Sequence, residues 1–267
     1  MKRLIKYITF SLLMLFTFIS CSSKDKEPIL KVGMELQFPP FETIDKDGNP
    51  YGLSVDLANY IANKLNMKLE IVNTAYSGLI PSLQSGKIDI ILSSMTITDE
   101  RSKVIDFSIP YAVSNLALLI NKNSSVNSVE DLNKQGIKVA VKKGTTGHIF
   151  AENNLPNAEI MIFDKESAAI LEVSQGKADA FIYGQDTIYK AYKQNEDTTK
   201  MNLNPIGDTQ YWGIAVKKGN KELLDKINQC IIEFKEEGGF DKLSDKYLKD
   251  LKQVFSELNI PFFFDIK

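Results

Sequence analysis

The segment Ile88-Asp89-Ile90-Ile91-Leu92-Ser93-Ser94-Met95-Thr96-Ile97-Thr98-Asp99-Glu100-Arg101 joins an apolar run to a hydroxyl-rich turn with an arginine at its far end. A guanidinium grips a carboxylate through two parallel hydrogen bonds, and a hydroxyl such as that of Thr96 fixes the orientation. Thr98, Asp99 and Glu100 have the composition of a helix start, where an arginine opposes the positive end of the helix dipole. Arg101 therefore calls for an anionic partner. That partner is either a ligand carboxylate or, in the plainer reading, Asp99 or Asp106 at the surface.

Other chemistries are poorly supplied. The chain has one histidine, His148, which excludes histidine-rich metal sites and argues against a serine triad. No phosphate-cradling loop is present, and no cofactor or metal is expected. Of the two cysteines, Cys230 sits among Leu224, Ile227, Ile231 and Phe234, the setting of a packed core thiol rather than a reactive one.

The first residues read as a targeting segment. Lys2, Arg3 and Lys6 precede an apolar run from Ile8 to Ile19, too short to cross a bilayer, which marks residues 1–20 as a secretory signal peptide. The run ends at Phe18-Ile19-Ser20-Cys21, which resembles a lipoprotein signal whose cysteine becomes the lipidated N-terminus, with Phe18 where leucine is usual. Residues 21–28 then form a polar tether, so the mature chain is expected outside the cytoplasm, in the periplasm or at the cell exterior, anchored through Cys21. Removing residues 1–20 takes three basic groups from the 32 and none of the 34 acidic ones, leaving the body at −5. A mildly acidic body argues against nucleic acid.

The elements that must position Arg101 and its turn follow from the apolar pattern. Runs at Ile29–Met34, Leu69–Val72 and Ile88–Leu92 alternate with helical spacings such as Val55, Leu57, Ala58, Ile61, Ala62 and Leu65, for which Ser54 is a fitting N-cap. Strands alternating with helices predict an α/β architecture with mostly parallel pairing. The stretch Leu83-Gln84-Ser85-Gly86-Lys87-Ile88-Asp89-Ile90-Ile91-Leu92 returns as Val173-Ser174-Gln175-Gly176-Lys177-Ala178-Asp179-Ala180-Phe181-Ile182. Each copy reads as helix end, glycine cap, turn and strand. Two such units predict two similar lobes, and ligands of open α/β sheets gather beyond the carboxyl ends of the strands. Ser93–Thr96 and Tyr183–Asp186 should therefore face each other. Beyond Gly213 the pattern predicts a strand at Ile214–Val216 and helices at about Lys221–Glu237 and Phe240–Leu248. The apolar tail Pro261-Phe262-Phe263-Phe264 is expected to pack against a lobe.

From about Leu30 to Leu248 the chain resembles the family 3 extracellular solute-binding proteins, the amino-acid receptors of ABC importers. The motifs that carry this, in order, are Gly33-Met34-Glu35-Leu36-Gln37-Phe38-Pro39-Pro40-Phe41-Glu42, Tyr76-Ser77-Gly78-Leu79-Ile80-Pro81-Ser82-Leu83, the Ser94–Arg101 turn, and Lys142-Lys143-Gly144-Thr145-Thr146-Gly147 after a strand at Ile137–Val141. The resemblance implies a two-lobe periplasmic-binding-protein-like fold of type II. Residues 29–112 and 213–267 would form one lobe and 113–212 the other, with hinge strands crossing near Ala112–Leu116 and Asp208–Trp212. It implies that Phe38 and Tyr76 pack on the ligand and that Glu35 meets its polar end. Ser94, Met95, Thr96 and Arg101 would hold its amino and carboxylate groups, and Thr145 and Thr146 would form a second carboxylate clamp. A helix start there can hold an anion through backbone N–H groups, a role compatible with Thr145 as a simple N-cap. An unpaired buried carboxylate is costly, so Glu35 would favour a polar or cationic group.

One position departs from the family. An aspartate usually follows the second repeated strand to pair with the α-ammonium, and here that position is Gly184, in Phe181-Ile182-Tyr183-Gly184-Gln185-Asp186. Either Asp186 takes the role, or the ammonium relies on the Ser94 carbonyl and Thr96 hydroxyl, or the ligand lacks a standard α-amino group. The function so implied is that of a monomeric, membrane-tethered receptor that closes on an amino acid or similar small carboxylate and delivers it to an ABC permease. The rivals are an enzyme similar to cyclohexadienyl dehydratases, with Glu35 and Asp186 as the available acids, and a ligand sensor. The absence of a membrane span or effector module after residue 248 counts against the sensor.

Overall fold

The structure, a computed structural model, describes residues 27–266. The expected signal peptide and the expected lipid-bearing Cys21 lie outside those residues. Twelve strands form two five-stranded sheets and one short hairpin. Strand β1 (Ile29–Met34) buries Leu30, Val32 and Met34 completely and pairs in parallel with β4 (Lys68–Asn73) on one side and β5 (Ile90–Ile91) on the other. The first sheet is completed by β12 (Ala215–Lys217) and β6 (Ile105–Phe107) in the order β4-β1-β5-β12-β6, while β2 (Thr43–Ile44) and β3 (Pro50–Tyr51) make the hairpin. The second sheet runs β11-β7-β10-β8-β9, from β7 (Ala112–Asn121), β8 (Lys138–Lys142), β9 (Glu159–Phe163), β10 (Ala180–Gly184) and β11 (Thr199–Trp212). The chain enters this sheet between β6 and β7 and leaves it between β11 and β12. Those crossings lie side by side, with Ala112 opposite Trp212 and Ser114 opposite Gln210. This is the two-lobe α/β fold with two hinge strands.

The repeated unit is built twice in the same way. Gly86 and Gly176 adopt left-handed φ values of 74° and 72°, as a helix-ending glycine does. The N–H groups of Lys87 and Lys177 reach back to Ser82 O and Glu172 O. Asp89 accepts a hydrogen bond from the Lys31 N–H and Asp179 one from the Lys138 N–H, each at 2.8 Å. The following strand is thereby registered against a parallel neighbour, β1 in the first lobe and β8 in the second.

Three local expectations change. The helix expected to start at Ser54 spans Leu53–Lys64 with Gly52 before it, at φ 128°. A Cβ at Gly52 would lie 2.3 Å from the Phe41 carbonyl oxygen, so only glycine fits there, and the Ser54 hydroxyl is spent on Glu42 at 2.7 Å. The strand expected over Ile88–Leu92 pairs only at Ile90–Ile91. A further helix, Lys249–Glu257, precedes the aromatic tail.

That tail enters the core. Phe263 is buried, its ring meets Phe41 at 4.9 Å and Trp212 at 5.5 Å, and its carbonyl accepts the Val113 N–H at 2.7 Å. Burying an aromatic side chain of this size contributes about 1.5–3 kcal/mol. Cys230 is buried in the same cluster. Among the described residues no helix is long and apolar enough to cross a membrane.

Candidate functional site

A cleft opens where the carboxyl ends of β5 and β10 meet, lined from one side by Ser93, Ser94 and Thr96 and from the other by Tyr183, Gly184 and Asp186. Glu35, Phe38 and Tyr76 line it from the first lobe, and Thr145 and Thr146 from the second. Eight of the ten ligand residues proposed from sequence thus share one cavity, and two do not line it. The Met95 side chain packs with Leu79, Leu83, Ile88 and Ile91, leaving its backbone near the hinge, where its carbonyl accepts the Gly213 N–H.

Arg101 lies behind the wall. Its helix is a single turn, Asp99–Ser102, capped by the Thr98 hydroxyl. The guanidinium donates to the Thr96 carbonyl at 2.6 Å and, across the cleft, to the Gly144 carbonyl at 2.9 Å, and lies 5.8 Å from the Tyr76 ring centre. Neither Asp99 nor Asp106 is its partner, and Asp106 pairs with Lys218 at 2.7 Å. The arginine therefore faces backbone carbonyls of both lobes, a neutral setting in which its charge is not offset by an acid.

The second lobe brings a helix start to the cleft. Helix Thr146–Asn154 is capped by Thr145, whose hydroxyl accepts from the His148 N–H and donates to Lys142 O at 2.7 Å. Its first-turn N–H groups have no partner within the helix. Gly147 lets this turn sit against β10, since a Cβ there would be 2.6 Å from Ile182 O. The hydroxyls of Thr96 and Thr146 converge on one acceptor, Gln210 Oε1, at 3.5 and 2.8 Å. A single oxygen on the hinge strand thus satisfies one hydroxyl from each lobe.

Asp186 lies in the first turn of the helix Gln185–Gln194 and is 1 % exposed. Its Oδ2 accepts no hydrogen bond and lies 3.6 Å from the Lys190 ammonium. Gly184 makes room for it, because a Cβ at that position would lie 3.0 Å from Asp186 Oδ1. A buried carboxylate oxygen without a donor is costly and suits a site that receives a donor from outside.

Several residues lining the cleft carried no individual role in the sequence. Glu42 is fully buried, accepts hydroxyl hydrogen bonds from Ser54, Ser93 and Ser94, and is pushed up to about 8 by burial, against the lowering effect of those bonds. An acid directly after the apolar Phe38–Phe41 stretch was the available signal. Trp212 and Tyr183 stand edge-on to Phe38, each 6.2 Å away between ring centres, which makes an aromatic wall. Behind the lining, Lys142 also carried no role in the sequence. It is 1 % exposed, and its ammonium pairs across the lobes with Glu35 and lies 3.6 Å from Glu166 of its own lobe. The cation that a buried Glu35 demands is thus supplied by the chain itself. Burial raises the Glu166 carboxyl above its usual range, with Lys142 opposing the shift.

Among known proteins, the model of the bacterial extracellular solute-binding proteins, family 3, matches residues 30–250. A probable histidine-binding protein of Neisseria gonorrhoeae is 33 % identical over 223 residues, covering 82 % of each chain. An ancestral arginine-binding protein solved with arginine is 39 % identical with a TM-score of 0.76, covering 82 % of this chain and 98 % of that one. An ancestral arginine-binding protein solved with glutamine is 38 % identical with a TM-score of 0.76, covering 84 % of this chain and 99 % of that one.

Proposed function

The chain belongs to the bacterial extracellular solute-binding proteins of family 3, and from that premise we propose that it is the receptor of an ABC importer, closing two lobes on a free amino acid. Curated relatives are binding proteins for histidine, arginine and cystine rather than enzymes, and the chain is a binder, not a catalyst. The observation that carries the amino-acid reading is the pairing of opposite functions in one cleft. Asp186 offers a buried carboxylate oxygen without a donor, while the Thr96 and Thr146 hydroxyls and the adjacent helix start offer donors for an anion.

In this reading Asp186 takes the α-ammonium, in place of the aspartate that Gly184 lacks. The carboxylate displaces Gln210 Oε1 from the two threonine hydroxyls and draws the spare N–H groups of Arg101. Ser94 contributes from the strand end, Phe38 and Tyr76 pack on the side chain, and residues 29–112 with 213–267 close against 113–212. The ligand drives closure by binding both lobes at once, so it favours the closed state by its differential affinity. Lipid attachment at Cys21 would hold the receptor at the membrane face beside its permease.

Calorimetry of the mature protein against the standard amino acids and their deaminated analogues tests the reading. At least one α-amino acid should bind in the micromolar range or tighter, and its deaminated analogue at least tenfold more weakly, the loss of about one charge-assisted hydrogen bond. A preference for ligands without an amino group would replace the amino acid by another small carboxylate. Labelled fatty acid should enter the wild type and not Cys21→Ala, and equal labelling would remove the anchor.

A further inference from the structure

Resting on the amino-acid reading, we propose that Lys142 is a resident cation that fills the charge-reading end of the cleft and restricts the ligand to amino acids with uncharged side chains. Glu35, Tyr76 and Tyr183 all line the cleft. Together they form what a cationic side chain would seek, a carboxylate flanked by two aromatic faces. That cage already holds a cation. The Lys142 ammonium is paired with Glu35 and lies 5.8 Å from the Tyr76 ring centre and 5.9 Å from that of Tyr183. A second positive charge brought to Glu35 would meet this ammonium in a dry site, where like charges are strongly unfavourable.

Glu166 makes the arrangement permanent. Glu35 follows β1 in the first lobe, whereas Lys142 ends β8 and Glu166 starts the helix Glu166–Ser174, both in the second. When the lobes part, Lys142 loses Glu35 and keeps Glu166, its partner on its own lobe. An anionic side chain is also excluded, because it would be set against Glu35 and Glu166 with one ammonium already shared between them. The environment left for the ligand side chain is aromatic on Phe38, Tyr76 and Tyr183 and electrically balanced behind them.

Calorimetry with glutamine, serine, alanine, methionine, arginine, lysine, aspartate and glutamate as probes tests the assignment on the mature protein. At least one uncharged amino acid should bind about a hundredfold or more tightly than arginine or lysine. Lys142→Met keeps the length of the side chain and removes its charge. It should strengthen arginine or lysine by about tenfold or more, and the added Glu35→Gln change should cancel that gain. Arginine, lysine or an acidic amino acid as the tightest ligand of the wild type would overturn the assignment while leaving the amino-acid reading intact, and this comparison needs no variant to fold. Binding of no amino acid would overturn that reading itself, and the assignment with it. A folded Lys142→Met variant that gains no affinity for either cation would overturn the assignment alone.

Discussion

The two lobes share one way of delivering a strand to the cleft and differ in what stands at its end. In each, a left-handed glycine ends a helix and an aspartate three residues on accepts a backbone N–H from a neighbouring parallel strand, β1 in one lobe and β8 in the other, at 2.8 Å in both. Past that point the first lobe presents Ser93, Ser94 and Thr96, neutral hydroxyls backed by Arg101, while the second presents Tyr183, Gly184 and the buried Asp186. Scaffold and specificity are therefore separable within a dozen residues. The cap and clamp place the strand end, and the residues just after it line the cleft.

The sharpest way to break this division is at the charged groups behind the strand ends. Arg101→Ala should weaken amino-acid binding by about 2–5 kcal/mol, roughly 30- to 5,000-fold, measured by calorimetry on protein shown to be folded by circular dichroism. Unchanged affinity would leave Arg101 as a link between the Thr96 and Gly144 carbonyls only. On the opposite lobe, Asp186→Ala should remove about 1.5–3 kcal/mol of binding, the worth of a hydrogen bond to a charged group. Gly184→Asp should also weaken binding, by crowding a second carboxylate against Asp186. Tighter binding by Gly184→Asp would mean that Asp186 does not serve the ammonium.

Below these in size lie the shared clamps. Asp89→Ala and Asp179→Ala should each lower stability by about 1–3 kcal/mol in denaturant titrations, with similar values in the two lobes. A large effect in one lobe and none in the other would refute the equivalence of the repeats. The most gradual effect concerns Glu42, a residue of the first lobe. Its carboxyl titrates near pH 8 in the folded chain and near 4.5 when exposed. Between those values the folded protein retains a proton that the unfolded chain releases, so stability should fall as pH rises, by about 1.4 kcal/mol per pH unit from this group. Glu42→Gln should flatten that slope in melts taken from pH 5 to 8, and an unchanged slope would show that Glu42 is ionised in the fold.

Much of the fold was legible because its signals are local. The strand Ile29–Met34, the helix Lys221–Glu236 and the paired Gly86 and Gly176 turns follow from periodicity and from the conformational freedom of glycine. The cleft was legible as far as it sits on strand ends and caps, which is how Ser94, Thr96, Thr145 and Asp186 could be brought together in advance. Lys142 and Glu42 were not, because a buried charge is recognised only by its partners. Those partners, Glu35 for one and Ser54, Ser93 and Ser94 for the other, are distant in sequence. Ser54 shows the same limit from the other side. A residue with ideal cap chemistry was claimed by a tertiary hydrogen bond, and Gly52 began the helix instead.

The aromatic tail also has a consequence for the order of assembly. The second sheet is drawn from one continuous stretch, whereas the first needs both Phe41 and Phe263, which meet at 4.9 Å although nearly the whole described chain separates them. Closing so long a loop is entropically unfavourable and slow relative to local pairing. The second lobe should thus acquire exchange-protected amides first, and the first lobe should remain open, exposing its apolar strands, until the tail arrives. Pulsed hydrogen exchange during refolding should show protection of β8 and β10 ahead of β1 and β5, and simultaneous protection would contradict this order. During synthesis, the half-built lobe would be the part of the molecule most dependent on chaperones.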